Sequence, residues 1–230
     1  MTSAPQDTCE RLLDAAEALF AERGFEGASL REITSRARTN LAAANYHFRS
    51  KEALLDAVLE RRVGPMNQER LQRLEAAEAR AGERGPELEE ILEILVGPPL
   101  RRTRDAAGGA FLRIVGRLHA GSGAHWERFH ANFRPIKERF THALERASPG
   151  LSREELFWRV HFAIGAMVGV MMDCQRLSEI SNGLCDPKDA DAAIDQLVPF
   201  LAAGMRAPSI DARRERRGRA GTRASRKARP

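Results

Sequence analysis

Three closely spaced helix caps confine the stretch from Ser29 to Glu52, SLREITSRARTNLAAANYHFRSKE, to short helices joined by tight turns. Ser29 opens the first, and Glu32 three positions on completes a capping box. Asn40 opens the second and Ser50 the third. Leu30, Ile33 and Ala37 fall on one side of the first helix, while Arg31 and Arg36 point away. The second helix is small and polar on one side, at Ala42, Ala43 and Asn45. Small side chains let a helix axis sit deep in a major groove. An asparagine can pair with an adenine edge, and an alanine methyl can touch a thymine methyl.

Tyr46 and His47 end that helix with groups able to reach phosphates. Lys51 sits in the first turn of the next helix, where free backbone N–H groups also favour an anion. The pattern predicts a helix-turn-helix that enters DNA. Its candidate contacts are Ser29, Arg31, Arg38, Asn40, Ala42, Ala43, Asn45, Tyr46, His47 and Lys51. Phosphate contacts would set register and base contacts sequence choice. The plainer alternative is a helical hairpin with a solvated basic face.

Around this stretch the chain resembles the DNA-binding domain of TetR-family repressors. The matching pieces are Arg11-Leu-Leu-Asp-Ala-Ala-Glu-Ala-Leu-Phe20, Ala21-Glu-Arg-Gly-Phe25, Ser29-Leu-Arg-Glu-Ile33 and Asn45-Tyr-His-Phe-Arg-Ser-Lys-Glu-Ala-Leu54. The resemblance implies an all-α fold: a three-helix DNA-binding head followed by a larger helical domain for ligand binding and dimerisation. It also implies double-stranded, palindromic DNA and a homodimer. One departure stands in the turn, where the family often has Ala-Gly-Val and this chain has Ala37-Arg38-Thr39. If the middle residue needs a positive φ, arginine there costs on the order of 1 kcal/mol.

Composition narrows the setting. The three cysteines, Cys9, Cys174 and Cys185, are dispersed and form no C-x-x-C pair. That argues against a disulfide framework or a cysteine-rich zinc site and favours a cytoplasmic location. No signal peptide is legible at the amino terminus. The longest apolar run, Val160 to Met172, falls short of the roughly 20 residues that span a bilayer. Net charge is +5, but residues 208–230 alone hold nine Arg or Lys against two acids, leaving the rest at −2. This tail predicts a disordered arm that strengthens DNA association by counterion release, or a solvated extension without a role.

Every periodic segment is helical, and no alternating β-branched run marks a strand. The expected division is a head at 1–52, a helical domain at 53–207 and the tail at 208–230. Gly64-Pro65 should kink or interrupt one helix, and Gly97-Pro98-Pro99 should stop another. Phe129, Phe133, Ile136, Phe140 and Leu144 form one stripe that Pro135 would bend. The segment from Ser152 carries a capping box with Glu155 and is apolar nearly all round from Val160 to Met172. Gly165-x-x-x-Gly169 would admit another backbone. The last helix is expected from Asp186-Pro187. Two late apolar helices suit a four-helix dimer interface, which would pair two reading heads.

The larger domain further resembles the fatty-acid-responsive PsrA-type branch of the family. The runs are Asn40-Leu-Ala-Ala43 with Asn45-Tyr-His-Phe48, Leu156-Phe-Trp-Arg-Val-His-Phe162, Val198-Pro-Phe200 and Ala202-Ala-Gly-Met-Arg-Ala207. This implies a repressor released by a fatty acid or acyl thioester. The pocket candidates are Phe111, Val115, Phe129, Phe133, Trp158, His161, Phe162, Met167 and Met171, with Arg113, Arg117, Arg159 or His161 to receive a carboxylate. The same stripes could equally be ordinary core. Other apolar ligands of efflux or catabolic regulators, and a ligand-independent architectural DNA binder, are the alternatives. An enzyme is disfavoured: Glu127-x-x-His130 lacks a second copy, and no phosphate loop or dinucleotide fingerprint is present. No cofactor or metal is called for.

Overall fold

The computed structural model describes residues 5–102, 106–120, 123–172, 176–186 and 188–210. Among them every regular element is helical: α1 (Pro5–Gly27), α2 (Leu30–Arg36), α3 (Leu41–Phe48), α4 (Lys51–Ala81), α5 (Leu88–Arg102), α6 (Ala106–Ala120), α7 (Gly123–Ala131), α8 (Arg134–Ala147), α9 (Arg153–Met172), α10 (Arg176–Ile180) and α11 (Ala190–Arg206). A short 3-10 turn, Gly82–Arg84, follows α4.

Apolar side chains gather in two cores. The first joins Leu12, Leu19 and Phe20 of α1, Ile33, Ala44 and Phe48 of α2–α3, and Leu54, Leu55, Val58 and Leu59 of α4. It also takes in Phe111, Ile114 and Leu118 of α6 and Phe129 of α7. The second unites Leu74 of α4 with α5, α8, α9 and α11. The long helix α4 runs through the expected boundary at 52/53, so the head continues into the larger domain without a linker.

Ions clamp α1 to α4. Glu17, only 5 % exposed at its side chain, accepts from Arg61 at 2.5 Å and from Arg62 at 2.8 Å, and Arg61 also meets Asp14 at 2.7 Å.

Several expected boundaries move. Pro65 lies inside an unbroken α4, and Pro98 and Pro99 lie inside α5 rather than ending it. Burial of Ile91, Leu92, Leu95 and Leu100 holds α5 through its prolines, because tertiary packing outweighs local propensity. The stripe from Phe129 to Leu144 spans two helices, broken by a turn at Asn132 and Phe133, with Pro135 in the first turn of α8. The last helix starts at Ala190 under an Asp189 cap, not at Asp186. Helix α10 had no sequence signal.

By length and composition alone α9 is apolar enough to cross a membrane; counting only Val160–Met172 missed its first turns. Its buried stripe of Leu156, Ala163, Met167 and Met171 joins the second core. Residues 211–230 of the expected tail, and Cys174, lie outside the described residues. The tail's first residues are held: Arg159, which also donates to the carbonyls of Met205 and Ala207 at 2.7 Å, reaches the Pro208 carbonyl at 3.4 Å, and Ile210 N–H donates to Glu155.

Candidate nucleic-acid interface

The head is fixed by its own short-range hydrogen bonds. Glu32 N–H donates to Ser29 Oγ at 3.2 Å, and the Glu32 carboxylate accepts from Ser29 N–H at 3.0 Å, completing the expected capping box. The Ser29 hydroxyl, the Ser29 amide and then Arg23 hold the Glu32 carboxyl below the usual range. Helix α2 ends in paired turn bonds, Arg38 N–H to Ser35 and Thr39 N–H to Thr34. These place Arg38 at φ 51°, the left-handed region that the departure from glycine put at issue. Arg38 therefore carries the backbone cost of about 1 kcal/mol.

Asn40 Oδ1 accepts from Ala43 N–H at 2.9 Å and opens α3. Ala44 and Phe48 bury one side of α3. The other side presents Leu41, Ala42, Asn45, Tyr46 and Arg49, with Ala43 and His47 on its flanks. Tyr46 is 82 % exposed. Among the described residues nothing covers this face.

The cations divide into tied and untied. Arg23 meets Glu32 at 2.6 Å and Arg36 meets Glu22 at 2.9 Å. Among the described residues Arg31, Arg38 and Arg49 form no ion pair and stay exposed. Lys51 differs from expectation. Its Nζ donates to the carbonyls of Phe25 and Ala28 at 3.0 and 3.1 Å and lies 4.2 Å from the Phe25 ring centroid. It closes the end of α1 and is not aimed outward. Arg49, at φ 60° just past α3, is an exposed cation that the candidate set omitted. Leu41, 40 % exposed, was likewise missed. The i, i+4 spacing of Leu41, Asn45 and Arg49 was the signal that could have found both.

The expected ligand residues separate into three places. Phe111, Phe129 and Phe133 are neighbours, with ring centroids 6.5 and 5.0 Å apart in sequence order, and Val115 packs beside the same core. Met167 and Met171 belong to the second core. Trp158, His161 and Phe162 lie outside both, on the opposite side of α9 from Leu156, Ala163 and Met167. Trp158 and Phe162 are 56 % and 62 % exposed, their rings 5.8 Å apart. In this chain they face solvent, because helical phase sets them away from the buried stripe. Arg159 is occupied with carbonyls at the end of α11, and Arg117 donates to the Glu22 carbonyl at 3.0 Å.

The head touches the larger domain directly. Phe25 of α1 lies 4.3 Å from the His125 ring of α7, and Arg128 meets Asp56 at 2.6 Å.

Two family descriptions match this arrangement. Residues 12–58 match bacterial regulatory proteins of the tetR family, and residues 93–204 match the tetracyclin repressor-like C-terminal domain. The chain belongs to the TetR family. Its family and relatives are transcriptional regulators, not enzymes.

The HTH-type transcriptional regulator UidR of Escherichia coli is 37 % identical over 59 residues, 26 % of this chain and 30 % of that protein. The A-factor receptor protein of Streptomyces griseus is 38 % identical over 53 residues, 23 % of this chain and 19 % of that protein. These alignments thus span under a third of either relative. Among solved structures, the fatty acid degradation regulator FadR from Bacillus halodurans superposes with a TM-score of 0.63 at 16 % identity. The superposition covers 90 % of this chain and 99 % of that one. A Rhodococcus transcriptional regulator gives 0.56 at 23 % identity, over 88 % and 97 %. These likenesses establish the fold. They say nothing of the ligand.

Proposed function

We propose that the protein is a dimeric, cytoplasmic DNA-binding repressor, released from a palindromic operator by a small apolar ligand. The observation that carries this is the outward face of α3. Ala42, Asn45, Tyr46 and Arg49 stand exposed on a helix whose other side is buried. Asn45 reads an adenine edge, the alanine methyls admit close approach, and Arg31, Arg38 and Arg49 hold phosphates. Ser29 and Asn40 act by opening α2 and α3, and His47 flanks the contact. The basic tail adds a sequence-neutral term.

Dimerisation supplies the second reading head. On α9, Trp158, Phe162, Gly165, Gly169 and Met172 follow i, i+4, i+7, i+11 and i+14 spacing on the outward side. A Cβ added at Gly165 or Gly169 would meet nothing within 4 Å, so a partner helix can approach there. Phe200 of α11, 71 % exposed, extends the apolar face. Trp158, His161 and Phe162 therefore belong to subunit association and not to the ligand.

The ligand acts where Phe111, Val115, Phe129 and Phe133 pack against the head. An acyl chain among these side chains separates α6 and α7 from α1 and α4, which changes the spacing of the paired α3 helices. Selection of bound duplexes from a random pool tests the function. An inverted repeat should be enriched, and addition of medium-chain carboxylic acids should release it. Enrichment of no sequence, or of a single unrepeated half-site, would overturn the proposal.

A further inference from the structure

Arg70 is the bulkiest of the fully buried side chains, with 2 % of its surface exposed. It stands on α4 and reaches toward α5 and α9. Its Nη2 donates to the Leu95 carbonyl and lies 3.8 Å from Met167 Sδ. Its Nη1 donates to Asn67 Oδ1 at 3.3 Å, and its Nε has no partner. Among the described residues no carboxylate pairs with it, and the adjacent Glu69 is held by Arg102 at 2.7 Å.

The helix explains part of this. In α5 the Leu95 carbonyl would accept from the N–H of residue 99, but that residue is Pro99 and has none. Arg70 fills the missing bond. A neutral donor would do so equally well, so the bond does not account for the charge. Burial pulls the Arg70 pKa down to about 10, which still leaves a cation at neutral pH. The charge of Glu69 offsets the burial only in part, and a buried cation without a directly bonded counter-charge is unfavourable.

We infer that Arg70 receives the carboxylate of the apolar ligand, so that the protein takes a free carboxylic acid rather than its neutral ester or thioester. This rests on the proposed release by an apolar ligand and names the group that the ligand must carry. The carboxylate takes the unpartnered Nε edge of the guanidinium. Met167, a flexible thioether and weak acceptor, yields its place. The core that holds Met167 is apolar, with Met171, Ile136 and Phe140, and suits an alkyl chain. Phe133 packs against both cores and so joins this spot to Phe111 and Phe129.

The site also has a lever. Asn67 Nδ2 donates to the Asn132 carbonyl at 2.8 Å, in the turn between α7 and α8. A carboxylate on the Nε edge re-aims the guanidinium, and the Nη1 bond to Asn67 Oδ1 passes that shift to the turn.

Calorimetric titration of the full chain with decanoate and with 1-decanol, both below aggregation, tests this. Decanoate should bind at least about tenfold more tightly than the alcohol, the worth of a charge-assisted hydrogen bond. In Arg70→Met the two affinities should become equal, and Arg70→Lys should keep only part of the preference. Equal binding of acid and alcohol by the wild type overturns the Arg70 assignment and leaves the apolar-ligand reading standing. Binding of neither overturns both. A full preference in Arg70→Met, or in Arg70→Lys should the methionine variant not fold, places the receptor elsewhere and overturns the assignment.

Discussion

In the head, Ser29, Asn40 and Ser50 each satisfy a backbone N–H three residues on, and the exposed face carries Asn45 and Arg49 beside Leu41, Ala42 and Tyr46. The larger domain does the reverse. It leaves Trp158, Phe162 and Phe200 in solvent and seals the unpaired Arg70 inside. The head is finished as a single copy and waits for a polar partner. On the proposed reading, the larger domain is completed when apolar surface covers α9 and a negative charge meets Arg70. Local hydrogen bonding thus builds the reading surface, while surface burial and charge pairing build the part that responds.

That contrast can be broken most severely at α9. Trp158→Asp with Phe162→Asp should leave the head folded and yield monomers in sedimentation. Loss of the linked second head should weaken binding to a selected duplex on the order of a hundredfold or more. Retained dimers would refute the assignment of α9. Next comes the clamp under the head. Glu17→Ala removes the buried carboxylate, but Arg61 keeps Asp14 and Glu10, so the loss of its charge-assisted hydrogen bonds should cost about 2 kcal/mol in chemical denaturation. A change under about 0.5 kcal/mol would show that the clamp is decorative.

Asn45→Ala should cost about 1–3 kcal/mol of binding and relax preference at one base pair, with the salt slope unchanged. A uniform loss across all sequences would make Asn45 a backbone contact instead. Arg38→Gly separates two effects. Relief of the positive φ should stabilise the head by about 1 kcal/mol, while loss of one phosphate contact should reduce the salt slope by about one. Tighter or unchanged binding at low salt would remove Arg38 from the interface.

The smallest effect is expected at Ser29→Ala, about 1 kcal/mol of stability. Glu32 is held below its unfolded pKa, chiefly by the Ser29 hydroxyl. Its contribution is therefore present above the unfolded carboxylate pKa and lost as pH falls through the folded one. Wild type and variant should draw together in acid, and a gap that widens there would contradict the capping box.

The head was nearly all legible in the sequence because its signals are local. A cap and its acceptor lie three residues apart, and the burial of Ile33, Ala37, Ala44 and Phe48 follows helical phase. The internal bonds of Lys51 are not legible there because its partners, Phe25 and Ala28, are more than twenty residues away. Pro98 and Pro99 read as a stop in the sequence because the burial that holds α5 through them is supplied by other helices. The ligand residues scattered for a related reason. The sequence shows that α9 is apolar on nearly all sides from Val160 to Met172, but not which side another helix of the same chain will cover.

The central claim is that two copies, joined through α9 and α11, set two α3 helices into one duplex. Protection footprinting on a selected duplex tests it most directly. Two protected patches should lie on one face about a helical turn apart, related by two-fold symmetry, and both should disappear in the Trp158→Asp, Phe162→Asp variant. A single patch, or two patches unaffected by that variant, would contradict the account.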